Sequence, residues 1–250
     1  MISALDFLIL AAAAFAAGGF NALAGGGSIF TFPVLIAVGL PPIMANVTNT
    51  IALCPGYVGG VLAQRRDLTG QGRRMALLLP VAAVGGVVGA WLLTQTDEGT
   101  FEALIPALVL GACLLLAIQD PVRRMLTRGS ARIPLAWAIP PVILAAVYGG
   151  YFGAGLSVMY LAMIGLALDD TLTRLNGLKQ AMGLVTNVTA ALYFAGMAEV
   201  HWPAAGVMAV GALLGGAAGG RLASVVRPGV LRAIVIVIGV LIAAAFTLRG

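Results

Sequence analysis

Lys179 is the only lysine in the chain, and it stands inside a hydrophobic segment rather than at the end of one. The stretch reads Thr171-Leu-Thr-Arg-Leu-Asn176-Gly-Leu-Lys179-Gln180-Ala-Met-Gly183-Leu-Val-Thr186-Asn187-Val-Thr189. A charge inside a bilayer costs at least a few kcal/mol, so it normally faces a partner or a wet cavity and marks a functional site. A lysine in that position suits an anion. On a helix, positions three and four apart share a face. Asn176, Lys179, Gly183 and Thr186 follow that spacing, with Thr189 at the edge of the face and Gln180 and Asn187 flanking it. Lys179 lies about eight residues past the segment's start, roughly 12 Å deep. Two readings stand at this point: contact with an anion, or a structural role in which the ammonium snorkels or donates to carbonyls of a broken helix.

A second polar cluster opens an earlier segment: Asn46, Thr48, Asn49 and Thr50, followed by Cys54-Pro55-Gly56-Tyr57. Amide and hydroxyl side chains suit an oxyanion, because they donate hydrogen bonds without adding charge. In a membrane they serve equally as interhelix hydrogen bonds. Asn21, Ser28 and Thr31 flank a glycine cluster, Gly25-Gly26-Gly27, and could complete a cage. A second cluster runs from Gly149 to Gly155 and includes Gly153. Backbone N–H groups freed near Gly155 to Ser157 are a further anion-binding element. The candidate substrate-binding set is therefore Lys179, Asn176, Asn187, Gln180, Thr48, Asn49, Asn21, Ser28, Gly26, Gly27, Gly153 and Gly155.

Other chemistries find no support. No Asp or Glu lies deep in a segment, so a carboxylate proton relay is missing. His201, the single histidine, sits in Glu199-Val-His201-Trp202-Pro203 at a segment end and reads as structural. Cys54 and Cys113 have no metal-ligand spacing and read as small core residues. Walker A, zinc and nucleophile-elbow motifs are absent. The sequence thus implies no catalytic residues, no metal and no cofactor.

The elements that must carry these residues are transmembrane helices. The chain is 61% hydrophobic and 9% charged, with a mean hydropathy of +1.05. A soluble domain has roughly 25% charged residues. Apolar runs of about 20 residues can cross a ~30 Å hydrocarbon core. Ten segments are marked by Gly, Pro and charge, at 3–23, 28–39, 43–63, 75–94, 101–119, 134–151, 155–168, 171–195, 203–223 and 230–248. The second and seventh are short, about 18–21 Å at 1.5 Å per residue. The N-terminus has no cationic region and carries Asp6, so the first segment is expected to be a retained helix.

The segments fall into two halves, approximately 1–120 and 134–250, within a single transmembrane domain. Gly25-Gly-Gly-Ser28 answers Gly153-Ala-Gly-Leu156, 128 positions later, and Gly85-Gly86-Val-Val-Gly89-Ala90 answers Gly215-Gly216-Ala-Ala-Gly219-Gly220 at 130. At the 128 offset Thr48 matches Asn176, while Ile51 matches Lys179, so the two sides of the site differ in charge. Glycines at 85, 89, 215 and 219 read as helix packing. Five crossings per half is an odd number, which makes the repeat inverted, a recurrent transporter design in which paired interrupted helices mark the binding site. Arginines crowd the third break (Arg65, Arg66, Arg73, Arg74), the fifth (Arg123, Arg124, Arg128, Arg132) and the ninth (Arg221, Arg227, Arg232). Asp97, Glu98 and Glu102 hold the fourth break and Glu199 the eighth. The positive-inside rule then puts the arginine breaks in the cytoplasm and both termini outside. The net charge of +5 follows from this placement and implies no nucleic-acid partner. The expected partners are a small anion and the lipid bilayer, and no oligomeric state is read from the chain.

Several stretches in this order resemble the sulfite exporter TauE/SafE family of small permeases. They are Gly18-Gly-Phe-Asn-Ala-Leu-Ala-Gly25-Gly-Gly-Ser28, Phe32-Pro33-Val-Leu, Gly39-Leu-Pro-Pro, Tyr148-Gly-Gly-Tyr-Phe-Gly-Ala-Gly155, Asn176-Gly-Leu-Lys179, Asn187, Val200-His-Trp202 and Gly215-Gly-Ala-Ala-Gly219-Gly-Arg221-Leu. The resemblance covers most of the chain. It implies an all-α multi-pass permease of the bacterial inner membrane that moves sulfite, a sulfonate or a related small sulfur anion. Members are described with seven or eight spans, which ten segments match if each interrupted helix and its short partner count as one unit. A transporter of another small solute, a cation or an organic acid, is the alternative. The lack of a buried carboxylate speaks against the cation, and the lack of a catalytic constellation against a membrane enzyme.

Overall fold

A computed structural model describes residues 2–23, 27–126 and 134–222, together with 233, 236, 237, 239–241, 243 and 244. Among them are helices and short turns, and no strand. Nine helices can be bounded: α1 (Ala4–Leu23), α2 (Ser28–Ala37), α3 (Pro42–Ala63), α4 (Gly72–Thr94), α5 (Glu98–Leu126), α6 (Ile139–Tyr151), α7 (Leu156–Ala167), α8 (Leu172–Met197) and α9 (Trp202–Leu222). Short 3₁₀ turns at Arg65–Leu68 and Leu135–Ala138 precede α4 and α6. The tenth segment, 230–248, lies largely outside the described residues; its described positions are helical. Gly25 and Gly26 also lie outside them, as do Arg128, Arg132, Arg227 and Arg232.

Segment ends differ from the sequence reading where charge continues a helix. The fourth segment starts at Gly72 rather than 75, and the fifth spans Glu98–Leu126 rather than 101–119. An apolar window stops at arginine or glutamate, but backbone hydrogen bonding does not. Asp97 starts α5 by accepting from the Thr100 N–H at 2.9 Å and the Thr100 hydroxyl at 2.6 Å. Thr171 starts α8 by accepting from the Arg174 N–H at 3.4 Å. Both are side-chain caps for orphan N–H groups of a helix start.

Among the described residues, three helices are long and apolar enough to cross a membrane: α1 over Ala4–Asn21, α4 over Gly72–Thr94 and α5 over Glu98–Ile118. The distribution of polarity matches a lipid solvent. Leu8, Leu62, Leu114, Leu144 and Leu192 are exposed, while Thr31, Asn46, Asn49, Lys179, Gln180 and Asn187 are buried. In water that arrangement would be unfavourable on both counts.

Helix pairing is reciprocal between the halves. α1 packs chiefly on α9, and α4 chiefly on α6; α3 packs on α9, α8 on α4, and α3 and α8 meet each other. Each pair becomes the other when elements at corresponding places in the two halves are exchanged. Glycine makes the two main contacts possible. A Cβ at Gly89 would collide with the Val147 carbonyl of α6, and one at Gly215 with the Phe15 carbonyl of α1. These helices approach backbone to backbone, as small-residue motifs allow.

The breaks gather at two ends. At one end the Arg74 and Arg174 side chains both bind Asp170 Oδ2, the latter at 3.0 Å. There Gln71 Nε2 also donates to the Asp67 carbonyl at 2.8 Å and the Arg174 carbonyl at 2.9 Å. At the other end a cavity of about 260 Å³ is lined by Pro41, Met44, Thr96, Glu98 and Glu199 among others. His201 stands at this second end. Its N–H donates to Thr48 Oγ1 at 3.1 Å, and its Nδ1 accepts from the Ala204 N–H at 3.2 Å, which caps α9. Among the described residues, the third break with its arginines is thus separated in space from the acidic fourth and eighth breaks.

Candidate functional site

The site builds up around the second glycine break. α6 ends at Tyr151 and α7 begins at Leu156. Between them Gly153 and Gly155 have φ of 77° and 76°, left-handed backbone that glycine adopts without the steric cost a Cβ brings. The Tyr148 hydroxyl donates to the Ala154 carbonyl at 2.6 Å and ties the break to its own helix. The N–H groups of Ala154, Gly155 and Ser157 donate to no carbonyl or side chain among the described residues. A helix start with unpaired N–H groups carries partial positive charge and is an anion-binding element.

α8 faces this helix start. Its residues Lys179, Gly183 and Asn187 are one turn apart, and all three are buried, Lys179 with 7% of its surface exposed. α3 supplies Tyr57, whose ring approaches so closely that a Cβ at Gly183 would stand 3.2 Å from Cε1. The Tyr57 hydroxyl lies near the side chains of Asn187 and Ser157. Asn187 Nδ2 donates to the Gly183 carbonyl at 2.8 Å, which fixes its amide. One turn on, the Tyr160 and Thr186 hydroxyls meet at 2.6 Å, and Thr186 donates to the Ala82 carbonyl of α4 at 3.3 Å. The face of α8 that carries the lysine is therefore packed against three helices and held by directed hydrogen bonds.

The other candidates occupy different places. Gln180 is buried and borders a cavity of about 340 Å³ between α3, α8 and α9, which Gly56, Gly60, Gln64 and Gly216 also line. Asn176 is half-buried near the start of α8. Asn49 Oδ1 accepts from the Thr31 hydroxyl at 2.5 Å, joining α3 to α2, and Ser28 is buried at the start of α2. Asn21 Oδ1 accepts from the Gly27 N–H at 2.8 Å, so this asparagine closes the first break. Thr48 is committed to the start of α9. The structure thus brings Asn187 beside the start of α7, with Lys179 buried two turns earlier on the same face of α8. Asn21, Ser28, Gly27 and Asn49 group around the other break, and Thr48 stands toward the acidic end.

Tyr57 is a candidate that sequence reasoning passed over. The available signal was its place on α3, the helix already marked by Asn46 and Asn49. Asn46, part of the polar cluster of α3 but outside the candidate set, makes an interhelix hydrogen bond: its Nδ2 donates to the Tyr151 carbonyl at the end of α6, at 2.8 Å. Among the described residues, no cluster of three or more His, Cys, Asp or Glu side chains could hold a metal ion.

Residues 10–246 match the sulfite exporter TauE/SafE family. A probable membrane transporter protein of Haemophilus influenzae is 26% identical over 248 residues, covering 96% of this chain and 94% of that protein. A probable membrane transporter protein, ORF9, of Sinorhizobium is 27% identical, covering 96% of this chain and 90% of that protein. The probable membrane transporter protein YfcA of Escherichia coli is 24% identical, covering 98% of this chain and 90% of that protein. No solved structure matches the chain. An all-helical chain with apolar spans, a buried polar interior and a match over nearly its whole length is a multi-pass membrane protein of a transporter rather than an enzyme family, and it belongs to the sulfite exporter TauE/SafE family.

Proposed function

We propose that the chain is a secondary transporter for a small oxyanion carrying sulfur, such as sulfite or a sulfonate, working by alternating access in the bacterial inner membrane. One observation carries the reading. Lys179, buried in an apolar helix, shares its face with Gly183 and Asn187, and that face meets Tyr57 and the start of α7. Lysine supplies a full positive charge. The α7 N–H groups supply partial charge, and Tyr57, Asn187 and Ser157 supply neutral donors. An oxyanion can accept from several of these at once, and charge-assisted hydrogen bonds are roughly twice as strong as neutral ones. The choice of a sulfur anion rests on the family.

The halves act as two inverted five-segment repeats. The reciprocal pairing of α1 with α9 and α4 with α6 supports this, as do the matched glycine breaks. The arginine-rich end faces the cytoplasm, by the charge rule. Glycine-broken helices of this kind can close one side of a site while opening the other.

Flux into liposomes loaded with purified protein tests the reading. Sulfite and an alkanesulfonate should exchange, and a carboxylate of equal size should exchange slowly. Transport of cations instead, or none of the anions, would overturn it.

A further inference from the structure

The end of α6 holds a set of oxygens that the anion site does not use. Asn46 is 1% exposed, and its Oδ1 is buried with no hydrogen-bond donor. The orientation of this amide is forced, because Nδ2 donates to the Tyr151 carbonyl at 2.8 Å and a flipped amide would set two oxygens against each other. Oδ1 therefore lies beside the last turn of α6. That turn is itself short of donors. The Phe152 and Gly153 N–H groups both bond the Tyr148 carbonyl, at 2.9 and 3.1 Å. The carbonyls of Gly149 and Gly150, both buried, accept from nothing among the described residues. Unpaired carbonyls at a helix end carry the negative pole of the helix dipole.

The surroundings are apolar and tight. Phe152 stacks edge-on to Phe32 at 5.2 Å and to Phe101 at 6.4 Å between ring centres, and Phe101 meets Tyr151 at 5.8 Å. Buried acceptors in such a setting are costly unless something positive or hydrogen-bearing satisfies them. Lys179 is far away. Its neighbour Gln180 packs on Gly60, since a Cβ there would come within 2.7 Å of Nε2. Gly60 is about 20 Å along α3 from Asn46 at 1.5 Å per residue.

From this geometry we infer a binding site for a monovalent alkali cation at the C-terminal end of α6, with Asn46 Oδ1 and the Gly149 and Gly150 carbonyls as oxygen ligands. All three are neutral, which suits a single charge; divalent calcium and magnesium are normally bound with carboxylates. Broken helices of transporters use freed carbonyls and helix C-termini for cations in the same way. The first break differs, because there the Asn21 Oδ1 already receives the Gly27 N–H. The cation site goes beyond the anion-transport reading and stands without it.

Thermal melting of the purified protein, with no anion substrate, tests the inference. Lithium, sodium and potassium chlorides are compared with choline chloride at one ionic strength. We expect a saturable rise in Tm with one or more alkali ions over choline, because a ligand that binds only the folded state stabilises it. Asn46→Leu should abolish the rise. Asn46→Asp adds charge at the Oδ1 position and also sets an oxygen against the Tyr151 carbonyl, so it should melt lower in choline and reach half-saturation at an ion concentration different from the wild-type value. Equal melting of the wild-type protein in all four salts overturns the site. So does a rise that survives in Asn46→Leu, which would put the ion elsewhere. If Asn46→Leu does not fold, an unchanged half-saturation in Asn46→Asp overturns it.

Discussion

Replacing Tyr57 by Phe removes one hydroxyl and leaves the ring, so it isolates what that hydroxyl does. In the folded protein the hydroxyl lies near Asn187 and Ser157, while the Asn187 amide stays anchored to the Gly183 carbonyl at 2.8 Å. The ring stays in place, so the cost to stability is at most that of one neutral hydrogen bond, about 0.5–1.5 kcal/mol. A hydrogen bond to a bound anion is worth more, about 1.5–3 kcal/mol. At 1.4 kcal/mol per factor of ten, its loss weakens apparent affinity about 10- to 150-fold. Concentration-dependent anion uptake into liposomes and melting of the same preparation separate the two costs. The expected result is a large rise in KM with a small fall in Tm. Gly183→Ala should act in the same direction, because its Cβ would stand 3.2 Å from Tyr57 Cε1 and displace the ring. An unchanged KM in a well-folded Tyr57→Phe protein would refute the placement of this hydroxyl at the anion.

Lys179→Met should abolish or greatly reduce anion flux, and normal uptake by a folded variant would remove Lys179 from the site. Gly89→Leu or Gly215→Leu should prevent accumulation of folded protein, read by size-exclusion chromatography, because each side chain would enter a carbonyl of the facing helix. Burial pushes the Asp170 carboxyl up, but hydrogen bonds from Arg74 and Arg174 outweigh it and hold its pKa below the usual range. Its stabilisation is then complete above the ordinary carboxylate pKa of about 3.9 and fades as pH falls through the lower folded value. Asp170→Asn should cost about 1 kcal/mol at neutral pH and flatten that acid limb of the melting profile. In a background lacking Cys54 and Cys113, a cysteine at position 70 should be protected from an impermeant external reagent and one at 98 should be labelled; the reverse would invert the topology.

Much of the architecture was legible because membrane helices advertise themselves. The glycine clusters, the two short helices and the segment order follow from hydropathy and from Gly and Pro punctuation. The ends of α4 and α5 were misplaced because charged residues extend a helix past the apolar core. Side-chain roles were harder to read. Thr48 and Asn49 are adjacent polar residues on one helix, yet one binds the start of α9 and the other a threonine of α2. Nothing local separates them, because each role depends on a helix far away in sequence. Tyr57 and Asn46 were obscured for the same reason: their partners are supplied by the second half of the chain.

The reciprocal pairing of α1 with α9 and of α4 with α6 also constrains how the protein is made. Each main backbone-to-backbone contact joins a helix from the first half to one from the second. When the ribosome has delivered α1 to α5, the glycine faces of α1 and α4 still have no groove to occupy. The early helices can cross the membrane, but their close packing has to await α6 and α9. Insertion and tertiary folding are thereby separated in time. A nascent chain stalled after α5 would present Gly18, Gly85 and Gly89 to lipid, a surface open to association with other incomplete chains.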